Sequence, residues 1–218
     1  MSNPWLEIPL ADYEAHMALP SIGQSQLIAD QLDGLVRTFC PHSIGIIGCA
    51  GGNGLDRLAG TSVNRVVGVD LNPEYIEQTR RRYEGRFADL ELYIADIQTA
   101  LSLFEPVDLL YVALVLEYVD LDRTMSVLWR HCKNNGVLAV ISQLPHETIT
   151  EVSPSPYTTL CRLAPVMRLV SRKELQLRAG HTGFCPEHSS TVLSPSGKIF
   201  SVETFRRRSE STRDGDGV

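Results

Sequence analysis

No apolar run in this 218-residue chain approaches the length of a membrane-crossing helix. The five cysteines, Cys40, Cys49, Cys132, Cys161 and Cys185, are odd in number, and no two stand at C-x-x-C spacing. With no secretory leader ahead of them, a reduced, cytoplasmic protein is the expectation. Positive charge is also short. Twenty Lys and Arg against 26 Asp and Glu leave a net charge of −6, the wrong sign for a nucleic-acid partner, which needs a basic footprint. Two arginine triplets interrupt that balance: Arg80–Arg82 reads as the solvated face of a helix, and Arg206–Arg208 precedes a polar tail. Two nucleotide signatures are missing. There is no phosphate loop ending in G-K-[ST]. The dinucleotide pattern G-x-G-x-x-G fails from Gly48, where Ala50 and Asn53 take the third and sixth places, and again from Gly52, where Arg57 takes the sixth. His42, His131, His181 and His188 lack partners at ligand spacing, so no metal is expected.

What is present concentrates in Ser43 to Gly54, S-I-G-I-I-G-C-A-G-G-N-G. The apolar run of Ile44, Ile46 and Ile47 stops at Gly48, Gly51, Gly52 and Gly54, and Leu55, Leu58 and Ala59 follow at helical spacing. This predicts a buried strand, a glycine turn and a helix start. Glycine tolerates positive φ and carries no Cβ, so a ligand can lie against the backbone, and free N–H groups at a helix start favour an electron-rich group. Arg65 to Asp70, R-V-V-G-V-D, is a second strand that ends in a carboxylate. Asp70 stands about 20 residues past the turn, the offset at which α/β nucleotide folds hold a ribose. Asn72-Pro73-Glu74 then opens a helix, with Pro73 suited to its first position.

Together these residues resemble the first motif of class I S-adenosylmethionine-dependent methyltransferases, hydrophobic-D-hydrophobic-G-x-G-x-G. Gly48, Ala50 and Gly52 take the three small positions. Ile46 stands where the family often has an acid near the methionine end of the cofactor. The resemblance implies S-adenosylmethionine as cofactor, with Gly48, Cys49, Ala50 and Gly52 at the turn and Asp70 and Leu71 at the ribose. It places Asp96 at the adenine amine and Ile97 against the ring; by its type Asp96 can also cap a helix starting near Ile97. Cys49 reads as a small packing residue under the turn, with a nucleophilic role as the alternative. The nearly apolar Val107 to Leu116 is a central parallel strand covered on both faces. It resembles the family's fourth-strand motif, in which E-H often follows; here Glu117 is followed by Tyr118. Ala113 and Leu114 would then line the cofactor, with Glu117 and Tyr118 near the acceptor. The implied fold is α/β: a Rossmann-like, doubly wound, mostly parallel seven-stranded sheet with an antiparallel C-terminal hairpin strand.

Along the chain, Trp5, Leu6 and Ile8 form an anchoring segment. Gln24 to Phe39 is an amphipathic helix stopped before Pro41. The family resemblance makes residues 1–41 a helical lid, with Tyr13, His16 and Gln24 shaping the acceptor site; Tyr13 and His16 as ordinary packing residues is the alternative. The methyltransferase domain is expected over residues 42–208. Helices are expected at Pro73–Tyr83 and Leu121–Cys132, and strands at Leu90–Asp96 and Val137–Ile141, the latter after a turn at Asn134-Asn135-Gly136. His146 lies past that last strand and is the first candidate for proton transfer, followed by Glu117 and His16. Residues 147–170, with Pro154, Pro156 and Pro165, form a cap insertion. Ser171 to Gly180 is a helix with a Ser171/Glu174 capping box and a Gly180 C-cap. Phe184–Leu193 and Lys198–Phe205 form a terminal hairpin that puts an antiparallel strand on the sheet edge. Residues 209–218 are a polar tail expected to be disordered. The function expected is methyl transfer to an oxygen or nitrogen atom of a small molecule. The alternatives are a non-catalytic module that binds the cofactor and, against the hairpin and the failed fingerprint, a nicotinamide-dependent oxidoreductase.

Overall fold

The computed structural model describes residues 3–146 and 152–209. The expected polar tail, apart from Ser209, and residues 147–151 of the expected cap lie outside the described residues.

Seven strands form one sheet: β1 (Ser43–Ile47), β2 (Arg65–Asp70), β3 (Asp89–Ile94), β4 (Val107–Ala113), β5 (Cys132–Gln143), β6 (Phe184–Leu193) and β7 (Ile199–Arg207). Their order is β3-β2-β1-β4-β5-β7-β6. The first five run parallel, and β7 is antiparallel to both of its neighbours. The antiparallel strand therefore sits one place inside the edge, which β6 occupies. This order departs from the all-parallel 3-2-1-4-5-6 sheet of dinucleotide-binding folds, against the oxidoreductase alternative.

Among the described residues five α-helices accompany the sheet: α1 (Leu10–Ala18), α2 (Gln24–Phe39), α3 (Pro73–Tyr83), α4 (Leu121–His131) and α5 (Arg172–His181). Successive strand residues point to opposite faces, so each central strand feeds two cores. On β4, Leu110 and Val112 join Met125 and Leu128 of α4 and Leu175 of α5. Leu109 and Tyr111 join Ile28, Leu32 and Val36 of α2 and Ile76 of α3. Leu32, Met125 and Leu128 are fully buried, each stabilising the fold by about 1.5–3 kcal/mol over exposure. Local signals set the helix ends. Asn72 Oδ1 accepts from Glu74 N at 2.9 Å to start α3 with Pro73 in its first turn. Asp120 caps α4 through Arg123 N, also at 2.9 Å.

Several local expectations are corrected. The glycine turn leads into a single 3-10 turn, Leu55–Leu58, because Ala59 is extended and Gly60 has φ +75°. No helix starts at Ile97; Asp96 instead holds a turn through Gln98 N at 2.9 Å. Asn134-Asn135-Gly136 lies within β5, with Asn135 at φ +60° beside a register shift against β4. Gly180 is inside α5, which Gly183 (φ +97°) follows instead. Ser171 accepts from Glu174 N, but the Glu174 carboxylate turns to Arg168 at 3.0 Å, so the capping box is half made.

The segment before the sheet lies against α3 and the region before α5. Trp5 O accepts from Asn72 Nδ2 and Ile8 O from Tyr75 OH, both at 2.9 Å. Arg82 pairs with Glu14 and also donates to Gly51 O at 2.9 Å. Asp12 accepts from Thr159 Oγ1 at 2.7 Å, and Ile8, Leu160 and Leu163 form a small core of their own. Among the described residues no helix is long and apolar enough to cross a membrane.

Candidate active site

Parallel strands bring their carboxyl ends to one edge, and there the loops after β1, β2, β3 and β4 enclose a cleft of about 710 Å³, its open mouth included. Gly48 and Ala50 come from the first loop, Asp70 and Leu71 from the second, Asp96, Ile97 and Gln98 from the third, and Ala113 to Val115 from the fourth. Asn3, Trp5 and Tyr13 close it from the N-terminal segment.

The turn is held from below. Gly48 N and Cys49 N both donate to Val69 O, at 2.8 and 3.1 Å. Ala50 sits at φ +46° and is fixed on both sides: its N–H donates to Asp70 Oδ2 at 2.9 Å and its carbonyl accepts from Thr79 Oγ1 at 2.7 Å. Asp70 Oδ1 accepts from Asn72 N at 2.9 Å. Burial raises the Asp70 carboxyl above its ordinary range, and the N–H groups of Asn72, Ala50 and Leu71 pull it back. With three N–H groups on the carboxylate, one lone-pair position is left for a hydroxyl donor. Asp70 thus ties the β2 tip to the turn while lining the cleft.

A second cavity of about 470 Å³, its open mouth included, adjoins the first. Its wall combines apolar Met17, Leu160, Leu163 and Met167 with polar His16, Gln24, Gln143, Ser153 and Lys198. Lys198 reaches it because the turn between β6 and β7 tucks against the start of α2, where Pro195 lies against Gly23. The buried Lys198 donates to Gln143 Oε1 at 3.1 Å, while Gln143 N donates to Glu117 Oε1 at 2.8 Å. Glu117 Oε2 is buried without a hydrogen-bond partner. Burial pushes the Glu117 carboxyl up to about 7, against the opposing pull of the Gln143 N–H, its own N–H and Lys198. His16 Nδ1 lies 2.8 Å from Ser155 Oγ. Burial first, then the Lys198 charge, lowers the His16 pKa, so its ring is neutral at pH 7.

Four residues line both cavities: Trp5, Tyr13, Leu114 and Tyr118. Leu114 stands at φ +57°, its N–H donating to Ile141 O at 2.9 Å.

Of the expected cofactor residues, Gly48, Ala50, Asp70, Leu71, Asp96, Ile97, Ala113 and Leu114 line the cleft. Cys49 and Gly52 do not. The Cys49 side chain is buried beneath the turn against Gly68, and burial raises its thiol pKa well above the ordinary value, in keeping with a packing residue. Gly52 has φ +86° and faces Tyr83 on the far side of the turn. Tyr13, His16, Gln24 and Tyr118 all line the second cavity. Glu117 lies behind its wall. His146 is exposed and lines neither cavity. Sequence reasoning missed Gln98, Gln143 and Lys198 at the walls and read Trp5 only as an anchor. Polar residues at strand ends carry no periodic signal, and a lone tryptophan ahead of a helix carries little. Among the described residues no group of three or more His, Cys, Asp and Glu is placed to hold a metal ion.

Residues 46–140 match the methyltransferase domain family. No curated protein matches the chain in sequence. Solved structures share its fold at low identity. The N-methyltransferase NodS of Bradyrhizobium japonicum WM9, in complex with S-adenosylhomocysteine, is 18% identical with a TM-score of 0.65, over 85% of this chain and 88% of that one. Geranyl diphosphate C-methyltransferase of Streptomyces coelicolor A3(2) is 15% identical with a TM-score of 0.62, over 82% and 77%. Magnesium protoporphyrin IX methyltransferase of Synechocystis PCC 6803 is 12% identical with a TM-score of 0.63, over 85% and 80%. The family match spans the glycine turn, both acidic strand tips and β4, the same elements that build the cleft, so it is residues 46–140 that carry the likeness to the methyltransferase domain family.

Proposed function

We propose that the protein methylates an oxygen or nitrogen atom of a small molecule held in the second cavity. The observation that carries this is the shared wall: a cofactor cleft and a second, partly apolar cavity meet at Trp5, Tyr13, Leu114 and Tyr118. Bound S-adenosylmethionine supplies an electrophilic methyl group on a positive sulfonium. The chain's task is then to align an acceptor with it, where orientation is the largest contribution. Asp70 would accept from a ribose hydroxyl, Asp96 and Gln98 would meet the adenine edge, and Leu71 and Ile97 its faces. On the acceptor side, Tyr13, Gln24 and Tyr118 supply hydrogen bonds, and burial holds both phenols protonated. His16 takes the acceptor's proton in the tautomer in which Nδ1–H donates to Ser155 Oγ and Nε2 carries the lone pair. The N-terminal segment, as the part that closes both cavities, acts as a lid. The acidic net charge and the small acceptors named for two similar proteins, geranyl diphosphate and magnesium protoporphyrin IX, support a small-molecule acceptor. Five free cysteines support a reducing, cytoplasmic setting.

The test is formation of S-adenosylhomocysteine over a panel of phenols, carboxylic acids and amines, repeated with His16→Ala. The expected result is turnover with one class and a loss in kcat of about 100-fold in the variant, with S-adenosylhomocysteine affinity within about twofold of wild type. No turnover with any small acceptor overturns the acceptor assignment. Full activity of His16→Ala removes His16 as the base.

A further inference from the structure

Three of the four residues shared by the two cavities are aromatic. Trp5 meets Tyr13 edge to face at 5.6 Å and 80°, and Tyr118 at 5.1 Å and 89°. Tyr13 is backed by Tyr75, stacked at 6.2 Å. Among the described residues no carboxylate lines both cavities, although Asp70 lines the cleft and its charge reaches Tyr13; the strand position where an acid would be expected is Ile46, buried in the sheet core. The rings are also held in place. Trp5 N donates to Asn3 Oδ1 at 3.1 Å, and Trp5 O accepts from Asn72 Nδ2. Asn72 N in turn donates to Asp70 Oδ1. The Trp5 backbone is therefore tied through one asparagine to the carboxylate that holds the glycine turn.

We propose that the faces of Trp5, Tyr13 and Tyr118 hold the positive sulfonium of the cofactor by cation–π attraction, so that this chain recognises the cofactor's charge with rings at the junction. The inference rests on the reading above that the methyl group passes between the two cavities at their shared wall. A cation over an aromatic face is drawn by the ring quadrupole, most strongly by Trp, and more so where water is excluded. Buried, protonated phenols add π-faces without adding a formal charge that would bind the sulfonium as an ion pair.

S-adenosylmethionine and S-adenosylhomocysteine isolate this effect, because the second lacks the methyl group and with it the charge on sulfur. Calorimetric titration of wild type, Trp5→Phe, Trp5→Leu and Tyr118→Leu with each ligand gives the ratio of their Kd values. In Trp5→Leu the Kd for S-adenosylmethionine should rise about fivefold more than that for S-adenosylhomocysteine. Trp5→Phe should fall between wild type and Trp5→Leu, and Tyr118→Leu should move the ratio the same way. Equal weakening of both ligands in the two leucine variants overturns the proposal, leaving the rings as packing. So does loss of both ligands in Trp5→Leu with an unchanged ratio in Tyr118→Leu. If wild type binds neither ligand, the reading of the cleft fails first and the inference with it.

Discussion

The two cavities are neighbours with opposite construction. The cofactor cleft is made from four loops that each follow directly on a strand, with Gly48 and Ala50 from the first and Ala113 and Leu114 from the fourth. The second cavity is made from side chains separated by up to 193 positions of sequence, from Trp5 to Lys198 beside β7. The first is fixed by the parallel sheet, since strand tips cannot move without breaking ladders. The second depends on how α1, α2, the region before α5 and the β6–β7 turn come together over that sheet. Chemistry shared by a fold sits in the first kind of site, and choice of acceptor in the second.

The largest expected effect tests whether the turn is a frame or a contact. Gly52→Val places a branched side chain at φ +86°, with its Cβ 2.5 Å from the Tyr83 ring. Left-handed strain and overpacking together should destabilise the fold by about 3 kcal/mol or more, lowering Tm by roughly 6–12 °C at this chain length. A variant that melts with wild type but no longer binds S-adenosylhomocysteine would reverse the assignment of Gly52 to the frame.

The next effect belongs to the second cavity. The folded Glu117 carboxyl titrates near 7, above its ordinary value of 4.5. Between these values the folded state holds a proton that the unfolded state has released, so stability should fall as pH rises from about 4.5 through 7. The effect is on the order of 3 kcal/mol once complete. Glu117→Gln should flatten that slope and melt above wild type at pH 8.5. Parallel melting curves for the two proteins from pH 5 to pH 9 would show that Glu117 ionises freely.

On the cleft side, Asp70→Ala removes the acceptor for both Ala50 N and Asn72 N. Affinity for S-adenosylhomocysteine should drop by about 1–3 kcal/mol, the cost of unpaired polar groups, while the second cavity keeps its lining. Unchanged affinity in a folded variant would take Asp70 out of the site. The smallest effect is Ala50→Gly. Relief of the left-handed φ outweighs the added chain entropy of glycine, so a gain of about 0.5–1 kcal/mol is expected, read as a higher Tm with cofactor affinity retained.

The same contrast explains what the sequence makes legible. Gln24–Phe39 and Pro73–Tyr83 are delimited to the residue, because apolar periodicity and flanking Asn, Gly and Pro act locally. The motif residues of the cleft are legible for a related reason: glycine and aspartate at strand tips answer to backbone geometry that a few neighbours determine. Gly52 shows the limit of that logic. Its motif position is right, but which way its missing side chain would point depends on Tyr83, 31 positions later. Tyr13, His16 and Gln24 are legible only through likeness to a family whose N-terminal extensions cover the site. Lys198 and Gln143 are not legible, because their burial follows from the β6–β7 turn meeting α2, a contact with no local signature. His146 shows the converse: a residue past a strand tip looks catalytic in sequence and lies outside both cavities in space.

Leu114 carries one further consequence. A leucine at φ +57° is held against a preference of about 1–2 kcal/mol, and glycine would relieve it. Yet Leu114 lines both cavities, and glycine there would take away an apolar side chain at the place where they meet. The strained leucine can thus be understood as a shaped surface: fold stability is given up locally to set the contour against which two ligands meet, and selection for a more stable chain at this position would work against selection for their alignment.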